Sequence, residues 1–121
     1  MAVSTDVAAA IARVASALTR YAQARGWKPE DWRLYYRVTP DWDRMHFIVV
    51  ARELDDQDEF AAYSSIRNYL ERELADAPEL FRAVGLVVRG FKQIEEGGIY
   101  RIGDDFKRID AEHLEFWGRD F

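Results

Sequence analysis

The sequence contains no cysteine and only three prolines among its 121 residues. The absence of cysteine excludes disulfide bonds, thiolate metal ligands and a thiol nucleophile. It is compatible with a reducing compartment, and we expect a cytoplasmic protein. No apolar run approaches the roughly 20 residues of a membrane-spanning helix, so we expect no membrane association. Stability must therefore come from the packing of one folded domain, for which the length of the chain is sufficient.

Several motifs of enzymes and of ion-binding proteins are missing as well. No serine lies in a Gly-x-Ser-x-Gly pattern, which excludes a nucleophile elbow. Gly97 and Gly98 lack the lysine and the strand-to-helix context of a phosphate-binding loop. The acidic segment 53–59 lacks the glycine at the sixth position and the glutamate at the twelfth that a calcium-binding EF-hand loop requires. We therefore expect a non-enzymatic protein with no cofactor.

The net charge of −5 is distributed unevenly along the chain. Residues 1–52 hold eight Lys or Arg and five Asp or Glu, a net charge of +3, whereas residues 53–121 hold nine and seventeen, a net charge of −8. Nucleic-acid binding depends on neutralisation of phosphates, so the acidic total argues against a nucleic-acid partner. Opposite charges in the two halves would favour contact between identical subunits.

The best-defined unit is a strand followed by a helix, between Met45 and Leu74. Residues 47–51 are apolar at every position, which is typical of a central strand covered on both faces. Asp56 is expected to cap the helix, with Glu59 completing a capping box. The helical spacing is carried by Phe60, Tyr63, Ile66, Leu70 and Leu74.

A first helix is expected over residues 5–25, ending at Gly26. Its apolar residues recur with a period of 3.5 residues. They are Val7, Ile11, Val14, Leu18 and Tyr21. Two interpretations of this apolar face are open. It covers a sheet within the domain, or it forms a helix–helix seam in a dimer.

The remaining elements follow from alternation and turn residues. A hairpin is expected with strands over 32–38 and 45–52. Pro78 ends the middle helix, and further strands are expected over 84–94 and 99–102.

The C-terminal segment 104–117 has two interpretations. The first is a short strand over 106–109 followed by a helix. The second, which we prefer, is a single helix with one face formed by Phe106, Ile109, His113, Leu114 and Trp117.

These elements predict a single α+β domain over residues 1–121, in the order α-β-β-α-β-β-(α). We expect a mostly antiparallel sheet of four or five strands, with the first and middle helices on one face. The predicted core consists of Ile11, Val14, Leu18, Leu34, Tyr36, Phe47, Val49, Tyr63, Ile66, Leu70, Leu86 and Val88.

The strand at 32–38 also presents a candidate binding surface. Alternation places two arginines and a tyrosine on one side and apolar residues on the other. Arginine beside exposed aromatic residues is typical of interface hot spots, although a solvated face shielded by arginine stems is the alternative. The candidate binding residues are Trp32, Arg33, Tyr35, Arg37 and Trp42. We accordingly expect a homodimer or a protein partner.

Two other functions are considered. Asp41, Asp43 and His46 are residue types that ligate a divalent metal, which would make the protein a small metal-assisted hydrolase. We prefer to assign the two aspartates to backbone hydrogen bonds in the turn, so no metal site and no catalytic residue is predicted.

The helix–strand–strand–helix–strand order of the first 90 or so residues resembles type II KH domains and BolA-like proteins. That resemblance implies association with nucleic acids as the other alternative. No two glycines lie three apart, so the Gly-x-x-Gly of a KH domain is absent. In size, acidity and leading helix the chain also looks like the small dimeric chaperones of type III secretion.

Overall fold

The computed structural model describes residues 5–39, 44–94, 102–103 and 105–109. The helices are α1 (Thr5–Ala24), α2 (Glu59–Glu73), α3 (Pro78–Arg82) and α4 (Phe91–Ile94). The strands are β1 (Trp32–Val38), β2 (Met45–Ala51), β3 (Val84–Gly90) and β4 (Lys107–Ile109). Short 3-10 segments precede β1 at Pro29–Asp31 and follow β2 at Arg52–Asp56. The chain is therefore an α+β protein.

The four described strands form one mixed sheet in the order β3-β2-β1-β4. β1 is antiparallel to β2 and to β4, whereas β2 is parallel to β3. The prediction of a mostly antiparallel sheet is wrong, because α2 and α3 carry the chain back across the sheet between β2 and β3. A crossover through helices returns the chain in the same direction, which makes the two strands parallel.

Two predicted strands differ from the structure. The third strand ends at Gly90 and continues as α4, so its predicted extent to residue 94 is wrong. Of the predicted strand at 99–102, only Ile102 lies within the described ranges, and it is not in a strand. A fifth strand and the predicted order after β3 are not confirmed.

The C-terminal segment contains a strand where a helix was preferred. β4 pairs with β1, with Ile109 opposite Leu34. The single helix that would include Phe106 and Ile109 is therefore wrong, and the interpretation with a short strand is confirmed for this stretch. The helix predicted after it lies outside the described residues.

α1 closely follows its predicted bounds and covers the sheet. Val7, Ile11 and Val14 are at most 1% exposed and share one hydrophobic core with strand residues such as Leu34 and Phe47. Because this apolar stripe is buried within one chain, it is not available for a helix–helix seam in a dimer.

α2 begins two residues later than the predicted cap. Asp58, not Asp56, is the N-cap, and its side chain accepts a hydrogen bond from the backbone N–H of Phe60 at 3.2 Å. Asp56 is instead the last residue of the 3-10 segment, which delays the start of the helix. Ile66 and Leu70 are buried as predicted, whereas Phe60 is 76% exposed.

β2 is covered on both faces, as predicted for a central strand. On the helix side Phe47 and Val49 pack in the core with α1 and α2. On the other side Ile48 and Val50 pack with Phe91 in a second, smaller cluster. Ten of the twelve predicted core residues are buried, while the other two, Tyr63 and Leu86, are half-buried against the core.

The junction between β3 and α4 generates a stability prediction. A Cβ atom on Gly90 would clash with the carboxylate of Asp55 and lie 3.0 Å from its backbone N and Cα, so the backbone would have to shift. We expect Gly90→Ala to lower the free energy of unfolding by about 1–3 kcal/mol, measured by urea denaturation. At Gly85 the added Cβ would meet the ring of His46, 2.9 Å from Nδ1, a side chain that can rotate. Gly85→Ala is therefore the control, and equal losses in the two variants would contradict the close backbone packing at Gly90.

Candidate binding surfaces

The predicted face of Arg33, Tyr35 and Arg37 lies on the side of the sheet opposite α1 and α2, and the chain itself partly covers it. The guanidinium carbon of Arg33 lies 5.1 Å from the centroid of the Phe91 ring. That of Arg37 lies 4.9 Å from the Phe106 ring, and Arg37 Nη1 donates a hydrogen bond to Asp105 at 2.8 Å.

Tyr35 is half-buried against the small cluster formed by Ile48, Val50 and Phe91. Guanidinium groups over aromatic rings stabilise such contacts by cation–π attraction. These contacts show that the predicted face packs against other parts of the same chain.

Trp32 of the predicted site does not join this face. Trp32 is 7% exposed and belongs to the main core, where its ring centroid lies 6.2 Å from that of Trp27. Alternate residues of a strand point to opposite faces, so Trp32 shares a side with Leu34 rather than with Arg33. Trp42 lies outside the described residues.

The residues considered for a metal site are only partly described. Asp41 and Asp43 lie outside the described ranges. His46 is half-buried, with its ring close to Gly85. Within the ranges that the structure describes, no group of three or more His, Cys, Asp or Glu residues could hold a metal ion. The metal-assisted hydrolase stays a prediction.

Another candidate binding surface lies at β3, which is an edge strand. In the part of the chain that is described, no strand pairs with its outer side. Val87 is 36% exposed, while Val84 and Leu86 are half-buried. An edge strand offers backbone N–H and C=O groups to a further strand. Its outer side is therefore the most open apolar surface of the described sheet.

A basic groove of about 480 Å³ lies beside the first half of β3, where α2 and α3 approach the strand. Its described lining includes Arg44, His46, Arg67 and Arg82 and no acidic residue. The guanidinium carbon of Arg67 lies 5.0 Å from the centroid of the Phe81 ring, and Arg67 contacts the carboxylate of Glu71 at 3.9 Å.

The other two arginines of the groove are less engaged. Among the described residues, no carboxylate lies within ion-pair distance of Arg44 or Arg82. Among the described residues, the groove is thus a concentration of positive charge with few carboxylates nearby.

A smaller groove of about 140 Å³ lies beside the last part of β3, and acidic residues gather around it. Glu59 forms an ion pair with Arg89, and Asp55 accepts a hydrogen bond from the backbone N–H of Lys92 at 2.9 Å. Asp56 and Asp58 are exposed in the same segment. Arg89 and Lys92 line this groove as well, so the net negative charge of this end comes from Asp56 and Asp58. The two ends of β3 therefore carry opposite net charge.

Sequence reasoning missed the residues of the basic groove. Arg44 precedes β2, Arg67 lies in α2 and Arg82 lies in α3, and the three share no motif. The apolar run at 84–88 was the sequence feature that could have pointed to β3, but a sequence does not show which strand lies at the edge of a sheet.

Tyr36 supplies a prediction about pH. Burial raises the pKa of Tyr36 from 10.0 to about 12. Between these values the phenol of the unfolded chain ionises while that of the folded chain keeps its proton. The resulting stabilisation is fully present below pH 10 and is lost as the pH rises toward 12, by at most about 1.4 kcal/mol per pH unit.

Tyr36→Phe removes this contribution. We expect the difference in unfolding free energy between the wild type and the variant to shrink in that pH window, measured by urea denaturation in steps of pH. The two proteins differ at this residue alone, so contributions from the rest of the chain cancel in the difference. A difference that stays constant would show that burial does not shift this phenol.

No helix in the described ranges is long and apolar enough to cross a membrane. Comparison of the chain with protein-family models, with curated proteins and with solved structures finds no match.

Proposed function

We propose that this protein is a non-enzymatic module that binds itself or a protein partner, and that a homodimer is its principal assembly. The observation that carries the proposal is the outer side of β3. A seven-residue strand with an unpaired side among the described elements is suited to accept another strand, because backbone hydrogen bonds supply affinity without any special side chain.

The composition of β3 supports the same conclusion. Edge strands that stay exposed are commonly protected by charged residues, prolines or bulges. Residues 84–88 read Val-Gly-Leu-Val-Val and contain no charge and no proline. Arg89 is the first charged residue of the strand, and it is engaged by Glu59. A partner strand would remove this apolar edge from water.

Exposed apolar side chains lie near the same edge. Phe60 and Val87 are the large hydrophobic residues that the structure leaves exposed in its described part. Phe60 borders the edge on the α2 side of the sheet, since it follows Glu59, whose carboxylate reaches Arg89 of β3. Val87 borders the edge on the opposite side, because the residues that alternate with it, such as Leu86 and Val88, pack toward the main core. Aromatic side chains carry much of the binding energy of protein interfaces. Phe60 is the anchor that this surface offers.

The face of Arg33, Tyr35 and Arg37 is the competing surface for the same function. Its arginines are engaged by Phe91 and Phe106 within the chain. We therefore place the dimer contact at β3 and use the competing face as a second arm of the test.

The test of the proposed function is the mass of the protein in solution as a function of concentration. We expect the wild type to be dimeric at about 100 µM, well above the dissociation constant of a stable dimer. Val87→Lys should raise the dissociation constant by about tenfold or more, because the ammonium group loses water on burial. Sedimentation equilibrium measures both.

Two further variants separate the surfaces. Ala24→Lys adds the same charge at an exposed position near the end of α1 and should leave the dissociation constant unchanged. Arg33→Ala together with Tyr35→Ala should also leave it unchanged if β3 forms the contact. Circular dichroism checks that each variant is folded. A wild type that is monomeric at about 100 µM contradicts the homodimer.

A further inference from the structure

The outer edge of β3 is polarised from one end to the other. The basic groove borders Val84 to Val87, where the strand begins. The acidic segment 55–59 borders the end of the strand, since Asp55 lies against Gly90 and Glu59 pairs with Arg89. Residues 55–59 hold four carboxylates and no basic residue, and they outnumber the neighbouring Arg89 and Lys92. A partner of this edge must therefore be acidic at one end and basic at the other.

A second copy of the chain meets this requirement in one orientation. When two β3 strands pair antiparallel about a two-fold axis near Val87, the start of each strand faces the end of the other. A two-fold interface must be self-complementary, and the polarised edge is so in this arrangement. Parallel pairing would place the basic grooves side by side, which like-charge repulsion disfavours.

The direction of α2 adds an apolar contact to the same arrangement. Its first turn lies at the acidic end, through the pair of Glu59 with Arg89, while Tyr63 and Arg67 line the basic groove farther along. Phe60, Tyr63 and Arg67 are three and four residues apart and so share one face of the helix. Antiparallel pairing brings the exposed Phe60 of one copy toward the groove of the other, where Tyr63 and Phe81 present aromatic rings.

Resting on the homodimer proposed above, we infer that two copies join through β3, antiparallel about a two-fold axis near Val87, into one continuous sheet. The basic groove of each copy receives the acidic segment 55–59 of the other. Arg44, Arg67 and Arg82 thereby gain carboxylate partners from the second chain. The chain needs no other molecule to neutralise the groove.

Exchange of the charges tests this geometry. One variant carries Arg67→Glu and Arg82→Glu, so both ends of its edge are acidic. The other carries Asp56→Lys and Glu59→Lys, so both ends are basic. We expect each variant alone to dimerise about tenfold or more weakly than the wild type at low salt. An equimolar mixture should form a heterodimer, because in it every acidic end meets a basic one.

Two controls accompany the exchange. Arg72→Glu with Arg108→Glu makes the same change in net charge at exposed positions away from the groove lining and should dimerise as the wild type does. Unfolding curves of each variant show that the fold persists. A single chain that carries all four exchanges should regain the dimer, since the two ends have then swapped sign together.

The outcomes separate this inference from the proposal on which it rests. A wild type that is monomeric removes both. A dimeric wild type that Val87→Lys dissociates, with variants that form no heterodimer on mixing, retains the dimer at β3 and overturns the antiparallel arrangement. A heterodimer measured by native mass spectrometry or by energy transfer between labelled variants supports it. Wild-type affinity in both exchange variants would show that the groove contacts no acidic segment and would overturn it as well.

Discussion

β2 has to be buried on both faces, and most of the architecture follows from how the chain achieves this. Six of its seven residues are buried, so neither face tolerates water. α1 and α2 cover one face with the main core, and Phe91 with its neighbours covers the other. The burial of large aliphatic side chains stabilises a fold by about 1.5–3 kcal/mol each, so the burial of this strand contributes substantially to stability.

Covering β2 in this way determines where the open edge falls. β1 occupies one side of β2 and is itself paired on its far side by β4. β3 occupies the other side and, among the described elements, ends the sheet. The helical crossover that makes β3 parallel also carries α2 past it, so the edge is bordered by a helix as well as by solvent. The open edge of β3, the position of α2 beside it and the groove between them thus all follow from the connection between β2 and β3.

Local patterns predicted the elements that local residues specify. The period of α1, the alternation of β1 and the apolar run of β2 each lie within a few consecutive residues, and their positions were predicted closely. The end of β3 at Gly90 was not predicted. It depends on Asp55, which is distant in sequence and accepts a hydrogen bond from the backbone N–H of Lys92. The direction of β3, the cap at Asp58 and the edge position likewise depend on tertiary contacts. Alternation alone could have placed Trp32 in the core, because it lies two residues before Leu34 and therefore on the same face of β1.

The acidic end of the β3 edge has a physical origin in the start of α2. Carboxylates are favoured at the start of a helix, where the backbone dipole is positive, and cations are favoured toward its end. α2 follows this preference at its start, with Asp58 and Glu59, whereas its last turn holds Glu71 and Glu73 beside Arg72. Because the crossover makes α2 run opposite to β3, the acidic start of the helix lies at the end of the strand. The carboxylates that stabilise the start of α2 therefore also make one end of the β3 edge acidic. Two such edges are complementary in charge only when the strands run in opposite directions.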